Sequence, residues 1–167
     1  MMIAGNLLAI GRDGEVRRFS YRCYVGPKLY DNLDRNSERL HWELSVWHLD
    51  EDPDSVDAGY RATAVEVDSE QAISIEMFSD RPGFSEVGLP EATLGELAKL
   101  CGRSLWSSTR LSKAVLLKSE NRTPAADKVW RRLSHAGRVI YEARTDRFRY
   151  LEDSPSPGLP ADACRPR

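Results

Sequence analysis

The segment Thr123–Gly137 constrains the fold most, because it specifies a helix together with both of its ends. Thr123 can accept a hydrogen bond from the first turn, and Pro124 stands where no backbone N–H is needed. Gly137 can adopt the left-handed conformation that ends a helix. The apolar residues recur at helical spacing and form one stripe: Ala126, Val129, Trp130 and Leu133. The sequence therefore predicts an amphipathic helix packed on a core late in the chain.

The length and composition are those of an ordinary globular protein. With 167 residues, of which 41% are hydrophobic and 30% charged, the chain is long enough to form one domain that buries about two-thirds of its unfolded surface. No apolar run approaches the roughly 20 residues that span a bilayer, and the first residues lack the basic region of a secretory signal. We therefore expect a cytoplasmic protein that does not associate with membranes.

The sequence contains no pattern typical of a metal site. Cys23, Cys101 and Cys164 are far apart and odd in number, which favours buried or incidental thiols over zinc ligands or disulfides. The acidic stretch at 50–57 holds five carboxylates, and it indicates either a solvated loop tip or a cation site. Pro53 interrupts this stretch, and the spacing of an EF-hand is absent, so we expect no bound metal.

Charge is divided unevenly between the two parts of the chain. Residues 1–100 carry 10 Lys and Arg against 19 Asp and Glu, whereas residues 101–167 carry 14 against 7. Such asymmetry points to an anionic ligand or partner near the C-terminal part, or to two parts that neutralise each other across the fold. The sequence leaves both interpretations open.

The N-terminal residues form a hairpin pattern. Leu7–Ile10 and Val16–Val25 flank an Asp13-Gly14 pair, which is a strong signal for a tight turn between antiparallel strands. Gly26-Pro27 then opens a polar segment, in which we predict a short helix around Lys28–Leu33.

The middle and the end of the chain alternate strands and helices. Three strands with period-two alternation and short connections predict an antiparallel meander: Leu40–Leu49, Tyr60–Val67 and Ala72–Phe78. We expect the following later elements: a helix over Glu91–Cys101, a strand over Leu105–Ser107, a long polar connection over 109–122, the helix after Thr123, and a hairpin of Val139–Ala143 with Phe148–Leu151.

These elements predict one domain over residues 1–151, of the α/β (α+β) class, with a largely antiparallel mixed sheet flanked by helices. Residues 152–167 contain four prolines and few apolar groups, so we expect a disordered tail.

The order of elements over residues 7–151 resembles the GNAT superfamily of acyl-CoA-dependent N-acetyltransferases. Members of that family have the motif Gln/Arg-x-x-Gly-x-Gly/Ala in the loop that wraps the pyrophosphate of the cofactor. At the corresponding position, this chain has Ser85-Glu86-Val87-Gly88-Leu89-Pro90. Only Gly88 is kept, Glu86 adds negative charge, and Pro90 removes an N–H donor. The resemblance implies acetyl-CoA or CoA as cofactor, held by these residues: Phe78, Ser85, Val87, Gly88, Leu89 and Thr123.

The resemblance also implies where catalytic groups would stand. The family pattern Asn-x-x-Ala-x-x-φ-Tyr falls on Thr123 to Trp130, so that Trp130 occupies the position of a tyrosine that protonates the departing thiolate of CoA. An indole N–H is far too weak an acid for that step. Glu76 is the best match for a general base, and Glu43 is the next.

Three functions remain open. The first is a GNAT-like protein with a degenerate acyl-CoA site that binds another macromolecule, and the second is a divergent acetyl-CoA-dependent N-acetyltransferase. The third is nucleic-acid binding through clustered arginines: Arg131, Arg132, Arg138, Arg144, Arg147 and Arg149. Sheet edges and an apolar stretch at Val115-Leu116-Leu117, expected to be exposed, favour a homodimer.

Overall fold

The computed structural model describes residues 1–31 and 36–151, which form one sheet with two helices. The strands are β1 (Met2–Ile10), β2 (Val16–Asp31), β3 (Asn36–His48), β4 (Tyr60–Glu66), β5 (Gln71–Ser79), β6 (Ser104–Ser107), β7 (Val139–Glu142) and β8 (Arg147–Tyr150). The helices are α1 (Leu89–Cys101) and α2 (Pro124–His135), and a short 3-10 helix covers Ser112–Ala114.

The eight strands are arranged in the order β1-β2-β3-β4-β5-β6-β8-β7. Every neighbouring pair is antiparallel except β5 and β6, which run parallel and are connected through α1. A parallel pair needs such a crossover, because its strands cannot be joined by a tight turn. The first hairpin, the meander and the last hairpin are confirmed, and the fold is a mixed α and β structure as predicted.

The two helices contribute to one core on one face of the sheet. Leu94 and Leu97 of α1 and Leu133 of α2 are buried in the same cluster as Ala62 and Ala64 of β4. Small residues on the strand allow α1 to approach the sheet closely. The core therefore lies between the sheet and the helix pair, and the gap between the two helices opens toward solvent above it.

The ends of α2 are those that the sequence predicts. The Thr123 hydroxyl accepts a hydrogen bond from the Ala126 N–H at 3.2 Å, and Pro124 occupies the first turn. Gly137 follows the helix with φ 70°, in the left-handed region. Val129, Trp130 and Leu133 are buried, so that the predicted apolar stripe is confirmed.

The predicted short helix around Lys28–Leu33 is wrong over Lys28–Asp31, which belongs to β2; the last two residues of that prediction lie outside the described residues. Pro27 also lies within β2. Beyond Tyr24, which pairs with Met2, β2 has only β3 as a paired strand. A proline is tolerated at such an edge because its missing N–H faces no partner strand.

A β-bulge interrupts the alternation of β5. Ala64 pairs with Ser74 and Thr63 pairs with Glu76, so that Ile75 is the extra residue. Cross-strand partners share a face, and therefore Ser74 and Met77 face the helices whereas Glu76 lies on the opposite face with Thr63. The period-two alternation expected over Ala72–Phe78 is therefore broken at Ile75.

The long connection over 109–122 is partly buried. Leu117 is 0% exposed, which corrects the expectation of an exposed Val115-Leu116-Leu117 stretch; Leu116 is 46% exposed. The predicted tail over 152–167 and Cys164 lie outside the described residues. Within the described residues, no helix is long and apolar enough to cross a membrane.

Candidate functional site

Two cavities flank α2, one on each side of its N-terminal half. The first, which we call the interhelix cavity, lies between α2 and the N-terminus of α1 and has a volume of about 520 Å³. The second, which we call the strand-opening cavity, lies between α2 and the second half of β5 and has a volume of about 130 Å³. Ala125 and Val129 face the first cavity, and Ala126 and Trp130 face the second.

The strand-opening cavity exists because β5 and β6 separate. They pair in parallel only from Gln71 with Ser104 to Ser74 with Ser107, and beyond Ser74 no described strand pairs with this edge of β5. The bulge at Ile75 lies at the point of separation. Bulges increase local twist and end pairing, so the sequence of β5 itself opens the sheet here.

The predicted catalytic residues do not form an acid–base pair at this cavity. Glu76 is at its rim, and both Glu76 and Glu43 pair with Thr63 on the face turned away from the helices. Trp130 lines the cavity, is 1% exposed and stacks on Phe148 with ring centroids 6.2 Å apart. Thr123 also lines the cavity, and its hydroxyl caps α2. In this arrangement, Trp130 packs in the core and Thr123 caps α2.

The predicted cofactor loop is closed on one side by the first hairpin. Gly88 has φ +79°, and a Cβ on it would lie 2.0 Å from the Ile10 carbonyl oxygen. Arg12, in the turn after Ile10, pairs with Glu86 at 3.3 Å across the same region. The glycine therefore accommodates the backbone of β1. No side chain caps α1, which begins with Pro90 in its first turn.

The other predicted cofactor residues lie outside both cavities. Leu89 is 0% exposed in the core, and Val87 packs against that core. Ser85 is exposed, and Phe78 is half-buried at the end of β5. Of the residues that the resemblance selects, the structure brings Glu76, Thr123 and Trp130 to the strand-opening cavity, and it places Gly88 at the interhelix cavity.

The interhelix cavity combines apolar walls with four basic side chains. Its apolar lining includes Ile10, Pro90, Ala125, Val129, Leu133 and Ala136. Arg132 pairs with Glu91 at 2.5 Å, and Arg12 pairs with Glu86. Lys128 and Arg138 have no ion pair with any carboxylate of the described residues. In the sequence, Arg138 belongs to a cluster of arginines. Its burial beside this cavity could not be predicted, because no local signal marks an arginine after a helix as buried.

A second buried group of charges holds the long connection in place. Arg122, 1% exposed at its side chain, donates from Nε to Asp127 at 2.9 Å and from Nη2 to Asp146 at 2.7 Å. Arg147 pairs with Glu120, whose other oxygen accepts the N–H groups of Leu116 and Leu117. These donors and acceptors satisfy one another, so the group stabilises the fold.

The ionised forms of the two aspartates are favoured by these contacts. Burial raises the pKa of Asp146, but hydrogen bonds from Arg110, Tyr141 and Arg122 outweigh that effect and hold the pKa well below its usual range. Burial likewise raises the pKa of Asp127, and its bonds from Arg131 and Arg122 lower it further than burial raises it. Both side chains are therefore carboxylates at neutral pH.

The clustered arginines of the C-terminal part do not form one free basic surface. Arg131 pairs with Asp127, Arg132 with Glu91 and Arg147 with Glu120. The following two are engaged by aromatic rings: Arg138 over Tyr150 and Arg149 over Trp106. These five arginines therefore form ion pairs or aromatic contacts within the protein.

The acidic stretch at 50–57 is also committed to contacts within the protein. Asp54 pairs with Arg22, Glu51 pairs with Arg81, and Asp52 accepts a bond from Ser55. In the described ranges, no three His, Cys, Asp or Glu side chains are placed to hold a metal ion. The observed contacts are those of an ion-paired surface loop.

Comparison of the chain with protein-family models, curated proteins and solved structures finds no match.

Proposed function

We propose that this chain is a GNAT-like protein whose acyl-CoA site has degenerated, and that it acts in the cytoplasm as an accessory protein that binds another macromolecule. The observation that carries the loss of the cofactor site is the contact of Gly88 with the Ile10 carbonyl. A pyrophosphate needs open backbone N–H groups at a helix N-terminus. Here the backbone of the first hairpin lies against the loop at Gly88, and Ser85 stands where the family has a basic or amide side chain.

The arrangement of the sheet supports the GNAT-like frame. The meander, the parallel pair of β5 and β6 connected through α1, and the position of α2 before a final hairpin follow the order on which the resemblance rests. The structure departs from that order at Lys28–Asp31, which form the end of β2 and not the short helix that we predict from the sequence. A fold that is kept while its reactive groups change is typical of a scaffold reused for another purpose.

The buried indole supports the loss of acyl transfer. Trp130 stands where the family has an acidic hydroxyl, and it packs against Phe148 with almost no exposed surface. An indole N–H is a far weaker acid than a thiol, so it cannot protonate the departing thiolate. Glu76 lies on the opposite face of the sheet from the core to which Trp130 belongs.

The outer face of the first hairpin supports macromolecule binding. Leu8, Val16 and Tyr24 are 38%, 55% and 41% exposed and share the face of β1 and β2 that points away from the core. β1 is an edge strand with only β2 beside it in the described sheet. Exposed apolar side chains on an edge hairpin are a surface on which a partner can dock.

A divergent N-acetyltransferase is the second candidate, and one observation favours it. The strand-opening cavity brings Glu76 and Thr123 to the point where β5 leaves β6. An acyl group would enter there: the amine nitrogen bonds to the acyl carbon, the carbon–sulfur bond breaks, and the proton that the attacking nitrogen gives up passes to the departing thiolate in place of the missing acid.

Thiol release from acetyl-CoA, measured over a panel of primary amines, tests the proposal. The wild-type chain and Trp130→Tyr are compared with Glu76→Gln. We expect no amine-dependent release of CoA from any of the three. Release by the wild type that disappears in Glu76→Gln would establish the acetyltransferase instead.

A further inference from the structure

We propose that the interhelix cavity binds a small molecule with an apolar body and one anionic head, a carboxylate or a phosphate, with the head on Arg138. The inference is independent of the proposed function, since it rests on the charge and shape of this cavity alone. Its volume of about 520 Å³ lies within the range of small-molecule sites.

Arg138 carries the inference. The residue is 8% exposed and lines the cavity. Its Nη2 donates to the Tyr150 hydroxyl at 2.9 Å, whereas its Nε is buried without any hydrogen-bond partner. No carboxylate of the described residues pairs with it. A guanidinium removed from water in this way is costly unless an anion reaches it.

The neighbouring charges add to the field at this point. Lys128, on the exposed side of α2, is the second basic group of the cavity without an ion pair among the described residues. The N-terminus of α1, which no side chain caps, contributes the positive end of a helix dipole. Glu86 and Glu91, the acidic groups of the lining, are each engaged by an arginine. The charges of the lining that remain without an ion pair in the described part of the chain are therefore positive, and they favour an anionic ligand.

The walls determine the rest of the ligand. Val129 and Leu133 of α2, which are 7% and 3% exposed, form an apolar wall of the cavity together with Ala125 and Ala136. An inorganic ion would leave this surface in contact with water, whereas an acyl or aryl body would cover it. The site thus fits an amphipathic anion better than a free phosphate.

Calorimetric titration of the full chain tests the inference with four probes: octanoate, octyl phosphate, 1-octanol and inorganic phosphate. We expect at least one of the two octyl anions to bind, and the one that binds more tightly identifies the head. The neutral alcohol and inorganic phosphate should bind about tenfold more weakly or worse. Failure of both octyl anions to bind, or equal binding by 1-octanol, would overturn the proposal.

Arg138→Gln should weaken binding of the octyl anion by about tenfold or more, because charge-assisted hydrogen bonds to the head are lost. Lys128→Gln, at an exposed position that folding does not require, should weaken it less and reduce its salt dependence. Arg144→Gln, which removes an exposed arginine outside the cavity, is the matched control and should bind as the wild type does.

Thermal unfolding without ligand separates a binding role from a structural one. We expect Arg138→Gln to keep or raise the Tm, because it removes a buried charge whose only partner among the described residues is the neutral Tyr150 side chain. A lower Tm together with unchanged anion binding would show that Arg138 only supports the fold, and would overturn the proposal. Acetyl-CoA binding that is lost in Arg138→Gln would support the anion site and contradict the proposed degeneration of the acyl-CoA site.

Discussion

Arg122 and Asp146 lie 24 positions apart in the sequence, yet their side chains form a buried ion pair with Nη2 and Oδ1 at 2.7 Å. The arginine also donates to the carbonyl oxygens of Ser108 and Asp146, so that one guanidinium ties the connection before α2 to the turn between β7 and β8. This pair holds the connection that leads into α2 against the last hairpin, beside the strand-opening cavity that Arg122 lines.

Removing the charge of Asp146 should unfold this junction. We expect Asp146→Asn to lower the free energy of unfolding by about 3 kcal/mol, because the buried Arg122 keeps only Asp127 as an anionic partner among the described residues and Arg110 loses its nearer charged partner as well. Urea denaturation measures the change. Asp54→Asn is the control, since Asp54 pairs with Arg22 at the surface with 73% of its side chain exposed, and should alter stability little. Equal effects of the two substitutions would contradict the structural role of the pair.

Stability should fall in acid because of the same carboxylates. The folded pKa of Asp146 and of Asp127 lies below the unfolded value of about 4. A depressed pKa stabilises the fold fully above the unfolded pKa, and this contribution is lost as the pH falls from there toward the folded pKa. The stability difference between wild type and Asp146→Asn should therefore shrink below about pH 4 in urea titrations at several pH values. A difference that stays constant with pH would count against this assignment.

Two glycines with the same backbone conformation should respond differently to alanine. Gly14 has φ +78° with open space around its Cβ position, whereas Gly88 has φ +79° with the Ile10 carbonyl at 2.0 Å. We expect Gly14→Ala to cost about 1 kcal/mol, the strain of the left-handed conformation, and Gly88→Ala to cost at least about 3 kcal/mol. Chemical denaturation measures the free energy of unfolding of both variants. Similar losses of stability would mean that β1 does not lie against the loop at Gly88.

The two thiols in the described residues should be unreactive in the folded protein. Cys23 and Cys101 are 0% and 5% exposed, and burial raises the pKa of Cys23 to about 12 and that of Cys101 above its usual range as well. In a Cys164→Ser variant, we expect Ellman's reagent to label no thiol under native conditions and both thiols in urea. Rapid native labelling would show that this core opens.

The elements with local signals could be predicted from the sequence. Thr123, Pro124 and Gly137 specify the ends of α2 through the backbone around them, and Asp13-Gly14 specifies the first turn in the same way. The strand order beyond the hairpins depends on long-range pairing, for which short segments carry no signal.

The properties of the cavities could not be predicted, because they arise from distant residues. Arg122 belongs to a polar connection, and nothing in the sequence places its partner Asp146 beside it. Arg138 belongs to a cluster of arginines in the sequence, and the packing of Tyr150 that buries it has no local signal. The bulge at Ile75 follows from a register mismatch between two strands, which period-two alternation within β5 does not reveal.

The most direct test of the degenerate acyl-CoA site is a calorimetric titration of the full chain with acetyl-CoA and with free CoA. We expect no saturable binding of either compound up to millimolar concentration, because the Ile10 backbone lies against the loop at Gly88 and Pro90 removes an N–H donor from it. Micromolar binding of acetyl-CoA would contradict this expectation and would assign the chain to the acyl-CoA-binding proteins.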